Sequence, residues 1–96
     1  MAAKNYEAMV VYSLKGGEEA LAARKERFQT LIAQNGTLAE VKEWGRRFLK
    51  YSINKEPDGY YVLYHFAAEP EFPEEFNRIA SITDGVLRVL VTRIPE

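Results

Sequence analysis

Leu49-Lys50-Tyr51-Ser52-Ile53-Asn54-Lys55, then Glu56-Pro57-Asp58-Gly59, then Tyr60-Tyr61-Val62-Leu63-Tyr64-His65-Phe66: this run decides the fold. In its first part Leu49, Tyr51 and Ile53 alternate with Lys50, Ser52 and Asn54, the two-residue period of a half-buried strand. The middle four residues predict a turn, with Pro57 presetting one dihedral and Gly59 accepting positive φ. The third part is aromatic and β-branched, and returns antiparallel beside the first as a hairpin. Upstream the extended stretch reaches back to Thr37, and the lone Gly45 within it predicts a bulge or bend.

Working outward, residues 18–34 change period. Ala20, Leu21, Phe28, Leu31 and Ile32 recur at helical spacing and make one apolar stripe. Glu18 and Glu19 suit the positive end of that helix. Asn35-Gly36 predicts a left-handed stop. Residues 5–13 read as a first strand, ended by Lys15-Gly16-Gly17. Pro70 and Pro73 lead into a short second helix with Glu74 and Glu75 in its first turn and Phe76, Ile79 and Ala80 on its apolar face. Asp84-Gly85 is a turn before a last strand, Val86–Ile94. The order is βαββαβ, an α+β, ferredoxin-like plan: a four-stranded antiparallel sheet with two helices on one face. The second and fourth strands are expected at the edges, and residues 1–96 form a single domain.

Composition narrows the function classes. The chain has 96 residues, no cysteine, one histidine, 13 Lys plus Arg and 14 Asp plus Glu, for a net charge of −1. No disulfide framework, thiolate zinc site or cysteine nucleophile is available, and a single histidine forbids an all-His metal site. A near-neutral chain does not coat nucleic acid by charge alone. The opening Met-Ala-Ala-Lys-Asn-Tyr-Glu has no apolar stretch of the signal-peptide kind, and no run approaches a membrane span of ~20 residues. A cytoplasmic location is expected, with no membrane partner.

Chemistry is sparse. His65, inside a strand, is the one candidate general base and has no identifiable nucleophile or orienting acid. Lys15-Gly16-Gly17 lacks the spacing of a phosphate loop. Glu19, Arg24, Lys25, Glu26 and Arg27 read as a solvated helical surface. No catalytic residue, metal ligand, cofactor or small-molecule substrate is expected, and the chain is read as a non-enzyme.

The strands carry the more telling pattern. If Tyr6, Ala8, Val10 and Tyr12 face the helices, Met9 and Val11 face away. If Val62, Tyr64 and Phe66 face in, Tyr61 and Leu63 face out. The last strand puts Leu87, Val89 and Val91 on one side and Arg88 and Leu90 on the other. Apolar groups on neighbouring strands then populate a face that nothing in the chain covers, which marks a binding surface. Lys4, Arg46, Arg47, Lys50, Lys55, Arg88 and Arg93 lie on strands or their ends, interleaved with Tyr6, Trp44 and Tyr60, a combination suited to phosphates and bases. Edge strands also carry such cations against aggregation.

Tyr6-Glu7, Asn35-Gly36, Trp44-Gly45-Arg46-Arg47, Leu49-x-Tyr51-x-Ile53-x-Lys55, Gly59-Tyr60-Tyr61 and Val86-Leu87-Arg88-x-Leu90-Val91 stand in an order and spacing that resemble the bacterial small ribosomal subunit protein six family, from about residue 4 to residue 94. The resemblance implies a ribosomal, rRNA-binding protein of the cytoplasm. It would bind the central domain of small-subunit rRNA jointly with the eighteenth small-subunit protein, a basic partner, as a heterodimer on the RNA. Carried over by position, Lys4, Tyr6, Lys55, Arg88 and Arg93 are expected at RNA. Met9, Val11, Arg46, Arg47, Tyr61, Leu63 and Leu90 are expected at the protein interface. Many members carry an acidic or extended tail, whereas this sequence stops at Glu96. Two rivals share the fold. One is a regulatory or ligand-binding domain that homodimerises through its sheet. The other is an acylphosphatase-like enzyme, which would need an arginine that Ser13-Leu14-Lys15-Gly16-Gly17 lacks.

Overall fold

The computed structural model describes residues 3–53 and 56–95. Its elements are β1 (Lys4–Tyr12), α1 (Gly17–Asn35), β2 (Gly36–Ile53), β3 (Glu56–Ala68), α2 (Phe72–Ile82) and β4 (Val86–Arg93). The sheet runs β2-β3-β1-β4 with every neighbour antiparallel, so β2 and β4 are the edges as expected. Among the described residues no helix is long and apolar enough to cross a membrane.

Strand alternation builds the core. Tyr6, Ala8, Val10 and Tyr12 of β1 and Val62, Tyr64, Phe66 and Ala68 of β3 point the same way. They are covered by Leu21, Phe28 and Ile32 of α1 and Phe72, Phe76 and Ala80 of α2. The interior is aromatic: Phe28 meets Phe76 edge-on at 5.5 Å between centroids, and Phe66 meets Phe72 edge-on at 5.7 Å. Both are favourable ring geometries.

One polar pair sits inside this core. The hydroxyls of Tyr12 and Tyr64, both fully buried, hydrogen-bond each other at 2.7 Å. Burial, reinforced by the neighbouring Tyr64, pushes the Tyr12 phenol far above its ordinary range. Burial also pushes the Tyr64 phenol up to about 12. The folded state therefore favours the neutral phenols. Their contribution to stability is fully present below the unfolded pKa near 10 and declines as pH rises above it. Stability should fall from about pH 10 at up to roughly 1.4 kcal/mol per pH unit for each tyrosine. In chemical denaturation at stepped pH, Tyr12→Phe/Tyr64→Phe should lose that alkaline dependence.

Four local expectations are corrected by the backbone. The hairpin does not turn at Glu56–Gly59: Gly59 pairs with Arg47, Asp58 with Phe48 and Glu56 with Ile53, so these residues already belong to β3. Asn54 and Lys55, between the two strands, lie outside the described residues. Gly36 is not left-handed; it is extended, with φ −176°. A Cβ there would come within 2.1 Å of the Ala67 carbonyl oxygen, so close packing of β2 on β3 is what demands glycine. The α1 terminus is served instead by Asn35, whose side-chain Nδ2 donates to the Leu31 carbonyl at 2.9 Å. Leu87 does not share a side with Val89 and Val91. The register shifts between Val11 and Tyr12, pairing Val86 with Tyr12 and Arg88 with Val11, and Leu87 is the extra residue. Its Cδ1 lies 3.4 Å from where a Gly59 Cβ would stand, next to Val11, while Val86 takes the place against the core.

The fourth correction concerns α1, whose charged residues are not simply solvated. Arg24 donates from Nη1 to the carbonyls of Ser13 at 2.9 Å and Lys15 at 3.0 Å, and its guanidinium packs on Gly85. Ser13 also donates through its amide to Gly85 O at 2.8 Å and through Oγ to Glu56 Oε1 at 2.6 Å. One end of the domain is thereby stitched from β1, α1, β3 and the β4 approach. Lys25 reaches Glu43 on β2 at 2.5 Å, and its Nζ lies 5.0 Å from the Tyr60 ring centre.

Candidate protein and RNA interface

The helix-free face of the sheet is assembled by register. Met9 pairs with Leu63 on one side and Leu90 on the other, making an apolar row across three strands. Beside it Val11 lies between Tyr61 and Arg88. Met9, Val11, Tyr61, Arg88 and Leu90 enclose a hollow of about 110 Å³. Val11 is its floor, 2% exposed despite facing away from the helices, while Leu90 is 57% exposed at the rim. The expected protein-facing residues Met9, Val11, Tyr61, Leu63 and Leu90 thus form one continuous patch.

Arg46 and Arg47 are separated by the strand alternation. Arg46, opposite Tyr60, ion-pairs with the nearly buried Asp58 and lies 5.9 Å from the Phe48 ring centre. Arg47, opposite Gly59 on the open side, lies 5.6 Å from the Trp44 ring centre. Trp44 is the extra residue of a bulge between Glu43 and Gly45, as the glycine predicted; Gly45 has φ +84°. The bulge leaves Trp44 46% exposed and Phe48 80% exposed on the outer edge.

The residues expected at RNA do not form one cluster. Lys4 and Arg93 gather at one end, since Arg93 pairs with Tyr6 two residues along β1 from Lys4. Arg88 pairs with Val11, five positions along β4 from Arg93, which is roughly 17 Å at strand rise. Arg88 also faces the open side, where Arg93 does not. Tyr6 is a correction: it is 6% exposed, its ring 5.8 Å from that of Phe66, so alternation puts it in the core with no face for a base. Tyr60, an aromatic interleaved with the cations, instead donates its hydroxyl to Glu43 at 2.8 Å. That bond raises the Tyr60 phenol pKa, and the hydrogen bonds from Lys25 and then Tyr60 hold the Glu43 carboxyl below its usual range. Lys55 lies outside the described residues.

Sequence reading missed the row next to the apolar one. His65 pairs with Glu7 of β1 and Glu40 of β2, and Glu7 with Thr92 of β4, so Thr92, Glu7, His65 and Glu40 cross the open face in line. The signal was available only in register, because these residues are distant in the chain.

The family model described as Ribosomal protein S6 matches residues 5–93. The small ribosomal subunit protein bS6 of Clostridium novyi is 46% identical over 94 residues, covering 97% of this chain and 98% of that one. The bS6 protein of Thermoanaerobacter pseudethanolicus is 43% identical over 94 residues, covering 97% and 99%. The crystal structure of the 30S ribosomal protein S6 from Thermotoga maritima superposes with a TM-score of 0.88 at 23% identity, covering 96% of this chain and 88% of that one, a likeness of fold. With sequence and fold in agreement over nearly its whole length, the chain belongs to the ribosomal protein S6 family of the small ribosomal subunit.

Proposed function

We propose that this small-subunit protein binds the central domain of small-subunit rRNA jointly with the eighteenth small-subunit protein, in a structural rather than catalytic role on the cytoplasmic ribosome. The observation that carries this reading is the uncovered apolar patch of Met9, Val11, Tyr61, Leu63 and Leu90. An apolar patch of this kind is a place for a protein, since RNA presents phosphates that gain nothing there. A basic partner also supplies the positive charge that a chain of net −1 lacks. RNA falls to the cationic fringe, with Lys4 and Arg93 at one end, Arg88 as a separate contact at the patch margin, and Lys55, which follows β2 in the sequence, as a further contact.

The test is a salt titration of the complex with a central-domain rRNA fragment in the presence of the partner. Replacing Lys55 and Arg93 together by alanine should weaken binding and reduce the slope of log K against log salt by roughly 1.4–1.8, the loss of two phosphate contacts. An unchanged slope removes both residues from the RNA surface.

A further inference from the structure

We infer that the open face has a built-in direction for its protein partner. A segment laid along it places a cationic side chain over Glu7 and Glu40 and an apolar side chain in the hollow between Met9, Val11, Tyr61 and Leu90. This rests on the proposed reading that a basic protein docks on this face.

Three adjacent rows differ in character. The first is Thr92, Glu7, His65 and Glu40, the second Leu90, Met9, Leu63 and Lys42, and the third Arg88, Val11 and Tyr61. Side chains directly opposite one another on neighbouring strands stand ~5 Å apart, so Glu7 and Glu40 flank His65 closely enough to act together. Among the described residues Glu7 has no cationic partner, and Glu40 has only Lys42 at 3.9 Å, both more than half exposed. A pair so exposed contributes little and leaves most of the carboxylate's charge available. Among the described residues no set of three His, Asp or Glu is placed to hold a metal ion, so the row suits an organic cation.

Polarity follows from the third row. Arg88 at the hollow repels a cation, whereas the two carboxylates of the first row attract one. A reversed partner would set cation against Arg88 and apolar surface against two carboxylates, an arrangement costly in both contacts. Each row is two residues from the next, or roughly 7 Å, so the acidic row and Val11 at the floor of the hollow stand ~14 Å apart. A helix spans that distance in about nine residues. RNA is turned away by the same row, because its phosphates would meet Glu7 and Glu40. The face thus sorts protein from RNA as well as orienting the protein.

The experiment measures the Kd of the full-length chain for the eighteenth small-subunit protein at low and moderate salt. Glu7→Lys with Glu40→Lys should weaken binding about tenfold or more, and the loss should shrink as salt rises. Glu71→Lys with Glu75→Lys at the start of α2, an equal change in net charge away from the face, should leave Kd within about twofold. The milder Glu7→Gln with Glu40→Gln should fall between, and guards against a folding defect. If the reversal is silent while Leu63→Asp abolishes binding, the direction is wrong and the docking face stands. If both are silent, the partner binds elsewhere and the inference falls with the interface. If the α2 control weakens binding equally, net charge alone is responsible and the inference is overturned.

Discussion

Phe28→Ala should destabilise the domain by about 3–5 kcal/mol, out of a total typically near 5–15. Phe28 is fully buried, and its ring lies 6.0 Å from Tyr12 and 5.5 Å from Phe76. Phe76 in turn lies 6.0 Å from Phe66 and 5.9 Å from Phe72. One side chain thus joins α1, α2 and the central strands, and truncation leaves a void bordered by rigid rings that cannot collapse into it. In urea denaturation the midpoint should fall steeply with little change in slope. Leu31→Ala, on the half-buried margin of the same helix, should cost clearly less. Equal losses at the two positions would mean that α1 docks through its whole stripe and not through the Phe28 ring.

Leu63→Asp should abolish measurable association with the eighteenth small-subunit protein, a loss of about a hundredfold or more, while the isolated chain stays folded. Leu63 sits at the middle of the open face between Met9 and Lys42 and touches none of the helix-side core. A carboxylate there must be stripped of water when the partner covers it. The folded monomer keeps that water, and the strand itself should lose no more than about 1 kcal/mol. Met9→Asp should behave alike. Circular dichroism checks the fold and sedimentation velocity the complex. Retained complex formation moves the interface off this face. A wild-type chain that pairs with itself, binds no rRNA and becomes monomeric as Leu63→Asp would support a self-associating domain instead.

Much of this architecture is legible in periodicity. The two helices and the four strands follow from spacing, because each expresses a repeat of 2 or 3.6 residues, whereas the edge positions of β2 and β4 follow from the βαββαβ order and the bulge from the lone Gly45. The misreadings share a cause: a residue type was assigned the commonest reason for its use. Pro57 and Gly59 suggest a turn, yet in β3 Gly59 leaves room for Val11 and Leu87. Gly36 suggests a helix stop, yet serves the approach of Ala67. The Tyr6 ring suggests stacking, yet parity buries it against Phe66. The apolar patch was visible as broken alternation, strand by strand. The Glu7–His65–Glu40 row was not, since it exists only once β1, β2 and β3 are aligned.

The strand order has a consequence for how the protein is made. β1 is the first element to leave the synthesising ribosome, but it sits inside the sheet, and one of its two neighbours is β4, the last of the six elements to emerge. Until β4 arrives, the row of amides and carbonyls on that flank of β1 has only water to bond. A stalled or prematurely terminated product lacking β4 would leave β1 as an open strand edge and be a target for chaperones and proteases. Quality control is thereby written into the topology: only a chain translated through β4 covers the central strand β1 on both flanks.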